Sequence, residues 1–275
     1  MMNDELSRAL SVYADGKALT GFRHAHLTGR DALGLYPMPF TLRLWNLADS
    51  DYHLLRAAVG ISVMHGQSVL AAGRVSDVYL RLVPEGKITE VVFAAGLGLW
   101  ETQVSLSVEA GASVSETVRR ILEASGTGIP LLSFPGTDPV RSRGQAFYGR
   151  AAECIEETLS AAGARGYLTG SGLCVVPAEG LPVSMELSSA DLLSDPVFVG
   201  DGQLLLRTRI TGWPLGKGIR VKWKDGSRSG LVLERAVDAD NLEGKWESEI
   251  LVEKASVLQA DLSALQADLS VLQHW

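Results

Sequence analysis

Five histidines and the carboxylates near them have the most chemical reach in this 275-residue chain. His24 and His26 stand two apart, a spacing that sends both rings to one side of a strand, where they could ligate a metal. Neither has a cysteine or carboxylate at ligand spacing, so exposed polar histidines and no bound metal are expected. Asp49, Asp51 and His53 could imitate an acid–base cluster. They follow Trp45-Asn46-Leu47, where a polar turn with acids bonded to local backbone is the simpler expectation. Nucleophile and metal motifs are missing: there is no Gly-x-Ser-x-Gly elbow, no His-Glu-x-x-His and no Cys-x-x-Cys. Gly96-Leu97-Gly98 and Gly126-Thr127-Gly128 lack the Lys-Ser/Thr of a phosphate loop and the third glycine of a dinucleotide fingerprint, which leaves turn or close-packing glycines. Cys154 and Cys174 read as two buried thiols of a reducing compartment. No catalytic residue, no cofactor and no enzymatic activity is expected.

The elements that would position such groups are mostly strands. Residues 40–45 alternate apolar and polar, with Phe40, Leu42 and Leu44 on one side. Residues 78–83 and 87–93 repeat the pattern around Pro84-Glu85-Gly86, a hairpin signal. Residues 101–108 add another strand, and this density points to an antiparallel barrel or sandwich. The pattern then turns helical. Ser113 can cap the amide of Glu116, Val114, Val118, Ile121 and Leu122 follow at helical spacing, and Gly126 closes the helix. A second helix covers about 150–162, buried through Ala151, Cys154, Ile155 and Leu159 and stopped by Gly163. A short hairpin turns at residues 169–172. From about Leu181 strands return at 197–199, 203–208, 219–223, 230–234 and 245–250. The expected architecture is mainly β: a first barrel over residues 1–110, an α/β insert over 111–180, a second barrel over 181–254, and a C-terminal helix over 255–275.

That last segment carries a heptad. Residues 257–263 are followed by nearly the same seven residues at 264–270, and Leu258, Leu262, Leu265, Leu269 and Leu272 fall at alternating spacings of four and three. This is an a/d seam, which points to self-association, and Val257, Ala264 and Val271 widen its stripe. A helix over 257–272 would span roughly 24 Å, marginal in isolation. The alternative is an amphipathic helix folded back on its own domain.

Composition bounds the partners. Hydrophobic residues make up 46% of the chain and charged residues 21%, as in an ordinary globular protein. The net charge of −7 gives no footprint for gripping nucleic acid. Copies of such a chain around a channel would present an acidic wall that lets DNA pass. Met1-Met2-Asn3-Asp4-Glu5 is acidic and has no apolar stretch behind it, so no signal peptide is expected. The longest apolar run, 91–100, is too short to span a membrane.

The order of three motifs resembles a known family. Leu35-Tyr36-Pro37-Met38-Pro39-Phe40, then Leu42-Arg43-Leu44-Trp45-Asn46-Leu47, is similar to the opening strand of baseplate hub proteins from Mu-like and related phages. Gly144-Gln145-Ala146-Phe147-Tyr148-Gly149-Arg150-Ala151 resembles the family's approach to its insert helix. Leu192-Leu193-Ser194-Asp195-Pro196-Val197, with Asp201-Gly202, Leu206 and the stretch from Gly216 to Val221, resembles the start of its second barrel, with one residue inserted around Ser194-Asp195-Pro196. Together these cover about residues 30–225. The resemblance implies a homotrimer, each chain giving two tube-like barrels, so that six barrels continue a sixfold tail tube and the threefold face receives a spike. Implied partners are the tube protein, the spike or central puncturing protein and other baseplate proteins, with DNA only in transit. The implied place is the virion tail baseplate, assembled in the bacterial cytoplasm without membrane insertion. The family brings no catalytic residues. The hub portion of type VI secretion spike proteins shares this architecture but continues into a long spike, and the Leu heptad is not supplied by either family. A trimeric carbohydrate-binding β module is the competing expectation, with Trp45, Trp100, Trp213, Trp223 and Trp246 as stacking platforms.

Overall fold

Alternation of inward apolar and outward polar side chains sets the N-terminal strands. The computed structural model describes residues 8–134, 136–178, 182–200, 202–210, 215–224 and 226–254. The chain opens with β1 (Ser11–Ala14), β2 (Lys17–Leu19), β3 (His24–Ala32) and β4 (Phe40–Trp45), then α1 (Asp49–Ala57), β5 (Gly60–His65), β6 (Ser68–Val83) and β7 (Gly86–Ala94). In β4, Phe40, Leu42 and Leu44 are buried while Thr41, Arg43 and Trp45 face outward. β6 and β7 form the expected hairpin. Where a polar turn was expected there is a helix. Nor do the acids bind local backbone: Asp51 accepts the N–H groups of Thr20 and Gly21, 31 and 30 residues away, at 2.9 and 2.8 Å, and Asp49 takes the Lys87 ammonium at 2.8 Å.

The middle of the chain holds α2 (Leu97–Glu101), β8 (Gln103–Val108), α3 (Val114–Ser125), β9 (Leu131–Ser133), β10 (Gln145–Arg150), α4 (Ala151–Ala161), β11 (Ala164–Thr169) and β12 (Gly172–Pro177). The Ser113 hydroxyl accepts the Glu116 N–H at 3.2 Å, satisfying one orphan donor of α3. Gly126 ends that helix in the left-handed region with φ 62°. Val118, Ile121, Ile155, Leu159 and Leu173 fill a core between the two helices and the strands, separate from the other cores. β8 pairs with β10, and β11, β12 and β9 form a three-stranded sheet.

The C-terminal part supplies β13 (Val183–Leu187), β14 (Val197–Val199), β15 (Gln203–Arg209), β16 (Gly218–Trp223), β17 (Gly226–Asp240) and β18 (Trp246–Lys254). These strands do not form a sheet of their own. They join the N-terminal strands in one 13-stranded sheet whose main path runs β14-β15-β18-β17-β3-β4-β7-β6-β5-β1-β2, with β16 and β13 branching from β17. β17 makes the joint. On one flank its first part pairs with β16 and its second part, from Glu234, pairs with β3. β18 covers the opposite flank, with a bulge between Val232 and Glu234.

The packing follows this topology. The core against β3 and β4 takes Ile210, Val237 and Ala239 from the C-terminal part, with Trp246 packed on it. A third core gathers Leu204, Leu206, Ile219, Val221, Ile250 and Val252. Among the described strands no ladder closes either unit into a barrel. Instead the sheet rolls until side chains bridge its far parts. Arg235 donates to the Leu70 carbonyl at 2.6 Å, Arg8 donates to the Gly244 carbonyl at 3.3 Å, and the His65 ring meets Trp246 at 5.2 Å. The Leu258, Leu262, Leu265, Leu269 and Leu272 seam lies outside the described residues.

Candidate assembly surface

The His24 and His26 rings do project to one side of β3, but each has its own partner. His24 Nε2 lies 2.7 Å from Asp240 Oδ1 and His26 Nε2 lies 2.8 Å from Asp238 Oδ1. Both are part-buried, and His24 stacks on Trp45 at 4.0 Å. The carboxylates missing at ligand spacing thus arrive from β17, across the joint. They split the two histidines into separate pairs, and no group of three or more potential metal ligands occurs among the described residues. Cys154 is buried and Cys174 half-buried, both as free thiols, and burial pushes the Cys154 thiol up. Trp100, Trp223 and Trp246 pack against the three cores, while Trp213 lies outside the described residues.

These pairs belong to a wider pattern. From β14 to β6 the sheet presents its cores on one face and a band of charged side chains on the other. Arg43 meets Glu90 at 2.8 Å, and Arg81 reaches the same carboxyl at 3.5 Å. Arg207 grips both oxygens of Glu247 at 2.8 and 2.6 Å, and Lys245 lies 3.4 Å from it. Arg30 meets Glu234 at 2.9 Å. The Arg207 guanidinium beside Glu247 holds that carboxyl below its ordinary range even though burial opposes the shift. Period-two alternation makes the band, because every second residue of β3, β4, β15, β17 and β18 must leave the core. The sequence shows that these residues face outward; it does not show which acid meets which base.

The band ends at two open strand edges. β5 pairs with β6 only as far as Arg74, so Ser76–Val83 has no strand on that side among the described residues, and Tyr79, Leu80 and Leu82 are exposed there. At the other end, β14 pairs, among the described residues, only with β15. Val197, Phe198 and Val199 are all exposed, with Trp223 edge-on to the Phe198 ring and the Arg228 guanidinium above it. Unpaired edges carrying large apolar side chains are sites for adding another strand. A cavity of about 460 Å³ between the sheet and the β11–β12 turn is bordered by Asp31, Arg235, Leu70, Tyr36 and Thr169. It is spanned by the Asp31–Arg235 pair, whose contacts of 3.0 and 2.6 Å tie β3 to β17. The surface suits strand addition and charge pairing.

No protein-family model matches the chain, and no curated protein matches it in sequence. Solved structures do. A tail protein from Neisseria meningitidis MC58 superposes with a TM-score of 0.68 at 10% identity, covering 91% of this chain and 97% of that one. The 43 kDa tail protein of prophage MuSo2 from Shewanella oneidensis gives 0.63 at 11% identity, over 90% and 98%. An Escherichia coli component of the type VI secretion system, described as structurally similar to the T4 tail proteins gp27 and gp5, gives 0.66 at 12% identity, over 90% and 77%. The chain therefore has the fold of these phage tail and type VI secretion system proteins.

Proposed function

We propose that this chain is a structural baseplate hub of a phage or phage-like contractile tail. It forms a trimeric ring that adapts a sixfold tube to a threefold spike, and it carries no enzymatic activity. Residues 1–110 and 181–254 would each contribute a tube-like β unit, with 111–180 as an insert. The fold likeness supports the class of protein. The two open edges carry the ring.

Counting along the ladders, Phe198 leads through Leu204 and Val252 to Val232. Leu80 leads through Thr89, Leu44 and Ala25 to Asn241. The edges are thus staggered by the stretch from 232 to 241 on β17, about eight residues once the bulge is discounted. At about 3.3 Å per residue that is roughly 26 Å, against eight strand steps of about 4.8 Å from copy to copy, the joint included, or roughly 38 Å. Joining β14 of one copy to β6 of the next would tilt the strands by roughly 35°. Closed barrels tilt theirs by about 35–45°. A head-to-tail contact of this kind closes into a ring of three when each copy is turned by 120° from the last. Asp195 by β14 and Arg81 on β6 would meet in an antiparallel addition. With the cores and the insert outside, the charged band lines the channel.

In this role the tube protein, the spike and other baseplate proteins are the partners, DNA passes in transit, and the protein resides in the virion tail after assembly in the host cytoplasm. The Leu seam at 258–272 would add a coiled coil on the threefold axis.

The test uses two variants, Leu80→Lys/Leu82→Lys on one edge and Phe198→Lys on the other, examined by sedimentation. The wild type should be a trimer and each variant should fall toward monomer. An equimolar mixture should give dimers, since each variant keeps one good edge. A monomeric wild type would overturn the ring. Variants that both remain trimeric would place the contact elsewhere.

A further inference from the structure

We infer that Glu90 and Glu247 mask the basic side chains of the sheet's charged face and so make it a non-adhesive wall for nucleic acid. Arg43 and Arg81 converge on Glu90, and Arg207 and Lys245 converge on Glu247. Exposure is divided unevenly. Each carboxylate side chain is 11% exposed, whereas the four bases are between 42 and 64% exposed. Anything passing over this face therefore meets guanidinium and ammonium groups first, with the acids beneath them.

Unpaired cations on neighbouring strands would be phosphate ligands, because each one that neutralises a phosphate releases a counterion. Here each of the four already has a carboxylate within 4 Å. Arg207 gives one nitrogen, Nη2, to both oxygens of Glu247 and has Glu249 3.8 Å from its Nε. Glu90 and Glu247 each hold two bases, and Glu249 beside Arg207 and Asp238 beside Lys245 bring the count to four carboxylates for four bases. Elsewhere on the face Arg30 is held by Glu234, and Lys245 also lies 3.9 Å from Asp238. Arg209, at the end of β15, is paired with no described carboxylate. One exposed arginine at a rim is too little to hold a polymer. The position of this wall along a channel rests on the ring proposed above, whereas the masking belongs to the single chain.

The full chain carrying Glu90→Gln and Glu247→Gln should show it. A short fluorescent DNA duplex of mixed sequence is titrated at 50 mM and 200 mM salt, and binding is followed by anisotropy. The wild type should not bind at micromolar concentration. The double variant should bind at least tenfold more tightly than wild type at 50 mM and release the duplex at 200 mM. A control of equal net charge, Glu109→Gln with Glu123→Gln outside the band, should behave as wild type. Binding by the wild type, binding by the control, or a folded double variant that ignores the duplex would each overturn the masking. If the double variant does not fold, Glu234→Gln with Glu249→Gln removes two more exposed carboxylates. It frees Arg30 and strips the Arg207 contact of 3.8 Å, and should shift binding in the same direction by a smaller factor. No shift there would overturn the masking as well. Sedimentation of the same samples reports the ring separately.

Discussion

Asp240 takes part in the joint between the two β units through its contact with His24. Burial pushes its carboxyl up, but the backbone N–H groups of Leu242 and Glu243, at 2.9 and 3.0 Å, and His24 at 2.7 Å outweigh that and hold it below its usual range. A carboxylate depressed in the folded state stabilises the fold above its unfolded value, and the contribution is lost as pH falls through the folded value. Asp240→Ala should therefore cost about 1–3 kcal/mol at pH 7. The gap from wild type should narrow as pH drops through the carboxylate range, which urea unfolding at several pH values would measure. An unchanged gap at pH 3 would mean that the loss comes from packing. At this scale the sequence showed that His24 and His26 share a side. Their partners stand 216 and 212 residues away, and nothing local in a chain reports a contact of that span.

Among the elements, α3 was legible because capping and periodicity agree over twelve residues. α2 was not, since its five residues include a glycine and hold too few positions to show a period. Gly96 precedes it with φ 71°, and a Cβ there would lie 1.9 Å from Leu168 Cδ1 on β11. Gly96→Ala should thus cost at least about 2 kcal/mol, from the left-handed conformation plus displacement of Leu168. The change should appear as a lower Tm, and a melt identical to wild type would mean that the turn has an easy alternative. The second part of β17 was also hidden. Arg235, Val237 and Ala239 face inward there, but the buried row mixes a guanidinium with a methyl group and one valine, so its alternation carries little hydrophobic contrast. Missing that stretch separated two β units that the chain joins in one sheet.

For the whole molecule, the strand-rich layout was legible, while the continuity of the sheet and its open edges were not, because edges are defined by pairing. The heptad allows one more test. Leu265→Asp would set like charges near one axis in a trimeric coil, besides losing about 2–5 kcal/mol of apolar contact per chain. Assembly should weaken while the Tm of the β units holds. A mutant that stays trimeric but melts earlier would instead indicate a helix packed on its own domain. The long β17 has a last consequence, in time rather than space. β3 ends at Ala32, and the strand that covers its edge begins pairing at Glu234. At roughly 5–20 residues per second of synthesis, the N-terminal core stays open for about 10–40 s on the ribosome. The earliest half of this protein must wait for almost the last of it, with an apolar edge offered meanwhile to neighbouring nascent chains and to chaperones.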